Sequence, residues 1–412
     1  MAGAMRDTKK YSWFVVGLLW GVALLNYMDR QMLATMRPSM QTDIAELRSA
    51  ENFGYLMAIF LWIYGCMSPV AGVIADRMNR KWLIVLSLLV WSGVTFSMGY
   101  AENFHELYVL RAIMGISEAL YIPAALSLIA DYHESKTRSL AIGIHMTGIY
   151  LGQALGGFGA TVAGLFSWRS TFHTFGFIGI AYAVVLVFLL KEKRGSRLTD
   201  KRVVHHPPAP FFNGLGRLLA RLSFWIILFS FAVASLPGWA VKNWLPTLFS
   251  QNLQLDMSKA GPISTISIAV FSLLGVLFGG AMSDQWAAKN VRGRIYTSCI
   301  GLSLTIPALL LIGFGHSAVS TVGAMFCFGF GYGMADANYM PILCQFVSPD
   351  SRATAYGLMN MTGVFAGAVI TGQLGKLTDA GSLGMGFAAL AAFVLLGVTI
   401  QYFFLKPKTS TE

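Results

Sequence analysis

The sequence predicts an all-α membrane protein of twelve transmembrane helices in two six-helix bundles, and three observations carry that expectation. First, 55% of the 412 residues are hydrophobic and only 12% are charged, with a mean hydropathy of +0.60, which places the chain among polytopic membrane proteins. Second, the apolar residues gather into stretches of about 20 or more, the length needed to span a hydrocarbon core. Third, Gly and Pro recur inside those stretches, as membrane helices tolerate. The stretches run roughly 12–36, 52–76, 82–100, 105–131, 137–164, 169–191, 221–250, 260–286, 294–313, 318–347, 352–378 and 382–405.

The longest interruption follows the sixth stretch. Residues 192–220 form a basic, proline-broken linker carrying Lys193, Arg194, Arg197, Lys201, Arg202 and Arg217 with Pro207, Pro208 and Pro210. It divides the chain into an N-terminal bundle, 1–191, and a C-terminal bundle, 221–412. Alternate loops are basic (Arg77, Arg80 and Lys81; Lys136 and Arg138; Lys289, Arg292 and Arg294), as are both ends. The opposite loops carry Asp43, Glu46, Glu51, Glu102, Glu106 and Asp256. The positive-inside rule then expects both termini in the cytoplasm. The net charge of +11 follows from these loops, so it marks contact with a lipid bilayer and not with nucleic acid. The N-terminal residues show no cleavable signal pattern, and the first apolar stretch is too long for a signal h-region, so it is expected to remain as a helix. Cys66, Cys299, Cys327 and Cys344 lie in apolar segments with neither metal-like nor disulfide-like spacing, and read as small core residues.

The halves repeat weakly. GVIADRMNRK (72–81) returns in worn form as GGAMSDQW (279–286), and HMTGIYLG (145–152) returns as NMTGVFAG (360–367). Such duplication marks transporters whose site lies near the midplane between two bundles. Four charges sit at bilayer depth: Asp29 and Arg30 in the first helix, Arg111 and Glu118 in the fourth. Each costs about 2.5–3.5 kcal/mol to insert on translocon scales, and such residues commonly pair, face a cavity and mark a transport path. The competing reading is a structural network that locks the first helix to the fourth, which is a poor use of four buried charges.

Gly72-x-x-x-Asp76-Arg77-x-x-Arg80-Lys81, with its partial echo at Gly280 and Asp284, reads as a gate. Gly72 would permit close helix approach, and Asp76 and the basic residues would hold one bundle against the other. The blander alternative is a positive-inside anchor with an ordinary ion pair. This motif resembles that of the major facilitator superfamily, and the resemblance covers the whole chain, with Arg111-x-x-x-Gly115-x-x-Glu118-Ala119 similar to a second motif of that superfamily. Asn26-Tyr27-x-Asp29-Arg30, Pro123 after Glu118, and Trp168-Arg169-x-x-Phe172 resemble the anion:cation symporter family, which includes hexuronate and galactonate transporters, sialin and the vesicular glutamate transporters.

The resemblance implies the major facilitator fold and proton-coupled import of a small organic anion, a sugar acid such as a hexuronate, aldonate or sialic acid, by alternating access. It implies that Arg30 binds the substrate carboxylate, that Asp29 and Glu118 take up and release protons, and that Arg111 tunes them. The chemistry suits those roles: guanidinium binds carboxylate bidentately, and a carboxylate that loses its cation or its water favours the protonated form. Tyr27, Tyr64, His145, Gln153, Lys242 and Asn360 are candidate substrate contacts, with Asn243, Asn338 and Tyr339 behind them. His145 and Asn360 are raised by the internal repeat. Vesicular glutamate relatives carry a seventh-helix arginine, whereas no arginine lies between Arg221 and Arg292 here. Lys242 is the available substitute, and a monocarboxylate is favoured over a dicarboxylate.

Protons are the only coupling ion expected, with no other cofactor. A monomer suffices, and a bacterial inner membrane is the expected location. The runner-up is a spinster-type carrier of lysolipid or another amphipathic lipid, whose first helix has a similar Asn-Tyr-x-Asp-Arg stretch. A cavity lined by Phe and Met with a lateral opening would favour the lipid, and a compact polar one with Arg30 accessible would favour the acid. A drug exporter would need a roomy acidic site, against which two arginines argue. An enzyme is not expected, since the chain has no H-E-x-x-H, no G-x-S-x-G and no clustered metal ligands.

Overall fold

The computed structural model describes residues 2–192, 216, 218–315, 317–348 and 351–407, and every regular element among them is helical. The first half contains α1 (Ala2–Met40), α2 (Ala50–Arg77), α3 (Arg80–Met98), α4 (Phe104–Ala119), α5 (Tyr121–Tyr132), α6 (Ser135–Gly156), α7 (Gly159–Leu165) and α8 (Trp168–Leu189). The second contains α9 (Leu222–Asn252), α10 (Met257–Ala287), α11 (Gly293–Phe314), α12 (Ala318–Phe346), α13 (Arg352–Asp379) and α14 (Leu383–Phe404). With α4–α5 and α6–α7 each taken as one broken span, the described residues make twelve spans. Nine are long and apolar enough to cross a membrane by length and composition alone. Linker residues 193–215 and 217 lie outside the described residues, as do the side chains of Asp76 and Arg77.

Local chemistry sets the helix ends. Ser49, Asn79, Asn103 and Asp256 cap α2, α3, α4 and α10 by accepting from backbone N–H groups one turn in, and Ser317 closes a capping box with Ser320 at α12. The sequence expectation of unbroken helices over 105–131 and 137–164 is corrected. Leu120 separates α4 from α5, because Pro123 has no N–H for the carbonyl of Ala119 and its ring crowds that carbonyl. The Gly156–Gly157 pair interrupts the second of these helices. The first break lies only two residues past Glu118.

Side-chain burial is that of a protein solvated by lipid. Phe177, Phe188 and Leu222 expose 64, 74 and 74% of their surface, while Asp29, Arg111 and Glu118 expose 6, 4 and 0%. Charges inside and large apolar side chains outside invert the arrangement of a water-soluble domain.

The halves meet mainly where α2 packs on α13 and α6 on α10, and the polar links between them gather at the face opposite the termini. There Asp379, at the end of α13, caps α2: it accepts from Ser49 Oγ at 2.8 Å, Ala50 N at 2.7 Å and Glu51 N at 2.9 Å. An anion suits a helix N-terminus, where backbone donors are unsatisfied and the dipole is positive. Lys376 pairs with Glu51 at 3.3 Å. Gln31 donates to the Lys242 carbonyl at 2.7 Å, and Thr161 donates to the Ser258 carbonyl at 2.9 Å. Gly54 and Gly375 permit this approach, since a Cβ on either would strike the backbone of the other half. Toward the terminal face the last hydrogen bond between α2 and α13 joins Asn360 to Ser68 at 3.1 Å. Among the described residues, the polar links between the bundles therefore concentrate on the far side.

Asp379→Ala removes three bonds from this seal, each worth about 1 kcal/mol. In a background with the native cysteines replaced, Ala260→Cys, fully buried near the seal, should then label several-fold faster with a water-soluble maleimide. An unchanged rate would show that the cap does not hold the far side closed.

Candidate functional site

Successive residues on a helix point about 100° apart, so Asp29 and Arg30 meet different neighbours. Arg30 reaches α4, where its Nε donates to Glu118 Oε2 at 2.5 Å. Its guanidinium carbon lies 4.8, 4.8 and 4.7 Å from the ring centroids of Tyr27, Phe60 and Tyr64, within cation–π range of all three. Asp29 turns to α3 and accepts from Thr95 Oγ1 at 3.3 Å. Arg111 lies two turns before Glu118 on α4, with its guanidinium 4.6 Å from the Phe60 centroid and Nη1 3.2 Å from Met114 Sδ. Phe60 is thus flanked by two guanidinium groups.

Two arginines and two acids leave this cluster formally neutral, yet its polar atoms are not saturated. Asp29 Oδ1, Arg30 Nη2, Arg111 Nε and Glu118 Oε1 are buried without a hydrogen-bond partner among the described residues. A half-satisfied buried network is a weak way to lock helices together. It leaves atoms free to exchange partners, as a site that binds and releases charge requires.

Beside the cluster, between the bundles, lies a cavity of about 210 Å³. Four sequence-nominated residues line it: Tyr27, Gln153, Lys242 and Asn360. Tyr27 is the partition, since its ring faces the cavity on one side and the Arg30 guanidinium on the other. Arg30 and Tyr64 are not among the residues that line the cavity: Glu118 and three rings engage the Arg30 guanidinium. Lys242 lies over the Trp239 ring, 5.0 Å from its centroid. His145 is also corrected. It is fully buried with its ring centroid 6.0 Å from that of Tyr121, because α6 turns Met146, Ile149, Tyr150 and Gln153 to the cavity instead. Asn338, Asn243 and Tyr339 serve packing: Asn338 donates to the Met334 carbonyl and Asn243 to Thr371 Oγ1, and Tyr339 is buried.

Sequence reasoning missed Asp336, which lines the cavity from α12. It is an acid in an apolar stretch, the same signal that singled out Asp29 and Glu118, but no repeat or motif drew attention to it. Asp336 and Lys242, opposite charges on two different helices, line the same cavity.

At the gate, a Cβ on Gly72 or Gly280 would meet nothing within 4 Å. The close helix approach expected at Gly72 is therefore absent among the described residues. Arg80 pairs with Asp131, Lys81 Nζ donates to the Val187 carbonyl at 2.7 Å, and Arg294 donates to Asp284 at 2.7 Å. All three links stay within one bundle.

Comparison with known proteins agrees with this architecture. A family model described as Major Facilitator Superfamily matches residues 19–372. The hexuronate transporter of Escherichia coli (strain K12) is 24% identical, over 99% of this chain and 97% of that protein. Protein spinster homolog 1 of Xenopus laevis is 27% identical, over 85% of this chain and 69% of its own. The fold matches the crystal structure of a bacterial homolog of the human lysosomal transporter spinster, in an inward-facing and unoccupied conformation, with a TM-score of 0.80, 21% identity and coverage of 98% of this chain and 99% of that one.

Two outcomes follow from the geometry. Arg30→Ala or Glu118→Ala strands a buried charge and should cost about 3–5 kcal/mol, while Arg30→Ala/Glu118→Ala should cost clearly less than the sum. Melting temperatures in detergent test this, and additive losses would mean the pair is not coupled. Gly72→Leu fills open space here, so its melting temperature should stay near wild type, yet it should abolish transport by blocking closure of the terminal face. Retained transport would remove Gly72 from the gate.

Proposed function

Because the chain belongs to the Major Facilitator Superfamily, and is a transporter and not an enzyme, we propose that it is a proton-coupled symporter that imports a small organic anion, a sugar acid, by alternating access. The observation that carries this reading is the Arg30–Glu118 ion pair, set behind Tyr27 at the wall of a compact cavity that holds Lys242, Asp336, Gln153 and Asn360. A single cation is held by an acid, so its availability to a substrate depends on the protonation of that acid. When Glu118 takes a proton its hold on the guanidinium weakens. Arg30 can then turn past Tyr27 and bind a carboxylate bidentately, with Lys242 as a further cation in the cavity. Asp29, joined only to Thr95, is the second proton acceptor, and Arg111 offsets the charge.

Release reverses the order: the anion leaves toward the face of the termini, Glu118 loses its proton and the Arg30–Glu118 pair reforms. With the termini in the cytoplasm of a bacterial cell, as the loop charges favour, the direction is import across the inner membrane by a monomer. One pH unit supplies about 1.4 kcal/mol per proton, and 100 mV about 2.3 kcal/mol per charge moved. The hexuronate transporter likeness supports the substrate class.

The spinster likeness supports a lipid as the second reading, along with an apolar groove of about 600 Å³ between α1 and α8, lined by Trp20, Leu24, Phe177 and Tyr182 among others. Against it, the central cavity of about 210 Å³ is smaller than the roughly 300–1,000 Å³ of pockets for drug-sized ligands, and beside Met146, Phe231 and Phe328 it holds the charged Lys242 and Asp336.

The test is a thermal-shift panel of sugar acids, neutral sugars, amino acids and lysolipids, followed by uptake into proteoliposomes. A true substrate stabilises by mass action, so one sugar acid should raise the melting temperature in wild type but not in Arg30→Ala. Glu118→Gln should still bind and exchange the acid but lose uphill uptake driven by a pH gradient. Stabilisation by lysolipids alone, indifferent to Arg30, would replace the anion reading with the lipid one.

A further inference from the structure

Asp336 has no role in the coupling scheme above, yet it lines the cavity. Its carboxylate is exposed there, while Met334 and Ala335 beside it on α12 are buried. It shares the cavity with Lys242 of α9, Tyr150 of α6, Tyr356 of α13 and Tyr332 of its own helix, so residues of three other helices, from both bundles, line the same space. Among the described residues no hydrogen bond or ion pair within 4.0 Å engages it.

An ionised carboxylate only accepts hydrogen bonds. Facing an incoming anion, it repels the charge unless the substrate brings donors to it. A hydroxyl-free carboxylic acid would meet Lys242 and Arg30 favourably and Asp336 unfavourably. A polyhydroxylated acid can direct its carboxylate to the cations and its hydroxyls to Asp336, which then discriminates between them. Sites built to bond a substrate hydroxyl reject analogues that lack it far more strongly than apolar pockets reject a missing methylene.

We propose that Asp336 is a specificity-determining residue, a hydroxyl-reading subsite on the C-terminal bundle that restricts the cargo to polyhydroxylated acids. This rests on the anion reading of the same cavity and adds a residue and a selection rule to it. It also ties binding to the bundle opposite Arg30, so that a cargo held at both ends spans the interface that rocks.

The experiment measures ligand-induced melting shifts, titrated to half-saturation, for the full-length wild type, Asp336→Asn and Asp336→Ala. The probes are glucuronate, hexanoate (six carbons, no hydroxyls) and glucose. Wild type should prefer glucuronate to hexanoate. Asp336→Ala should weaken glucuronate about ten- to a hundredfold, the range of a hydrogen bond to a charged group. Hexanoate should hold or tighten as the repulsion is removed, and Asp336→Asn should fall between. Equal losses for both acids, or no loss for either, would overturn the proposal. Should wild type bind glucose and neither acid, the anion reading falls, and glucose becomes the judge. Its loss in Asp336→Ala then sustains a hydroxyl subsite, and its indifference overturns one. Binding of none of the three probes by wild type overturns both readings.

Discussion

The ion pair between Arg30 and Glu118 is the constraint around which the N-terminal bundle is arranged. Two opposite charges in a lipid-facing protein must find each other or a cavity, and here they meet at 2.5 Å with three aromatic rings about the guanidinium. The pair links α1 to α4 through side chains, with α2 supplying Phe60 and Tyr64 beside the guanidinium. The break at Leu120 then follows within half a turn of Glu118. Asp29 and Arg111 complete a neutral but unsaturated cluster, and the unsaturated atoms are what distinguish it from a permanent strut.

A second constraint acts between the bundles. Association of helices in lipid has no hydrophobic drive and depends on close packing and polar links. Those links are distributed unequally. Asp379, Lys376, Gln31 and Thr161 fasten the face opposite the termini, whereas Gly72 and Gly280 face open space. Rocking about the central cavity needs such an asymmetry, because one set of contacts must be exchangeable for another. The α2–α13 contact runs from the Asp379 cap to the Asn360–Ser68 bond.

Much of the site was legible in the sequence because charge in an apolar stretch is itself a signal. Asp29, Arg30, Arg111 and Glu118 were found that way, and the structure brings them together. Tyr27, Gln153, Lys242 and Asn360 also reach the cavity. His145 did not follow its repeat partner Asn360. A worn sequence echo preserves register along a helix, but the rotation of α6 about its axis decides which side faces inward. Asp336 carried the same signal as Glu118 and went unnoticed because it stands outside any recognisable motif.

The sequence by itself determined the membrane class, the twelve spans, the 6+6 division and the identity of the buried charges. Each of these depends on length and polarity along one helix, which local residues set. Only the tertiary structure decided that Glu118 and not Asp29 holds Arg30, that Tyr27 separates Arg30 from the cavity, and that Asp336 faces Lys242. Those are relations between helices far apart in the chain. They depend on how each helix is rotated and where it breaks once packing and charge pairing are satisfied together.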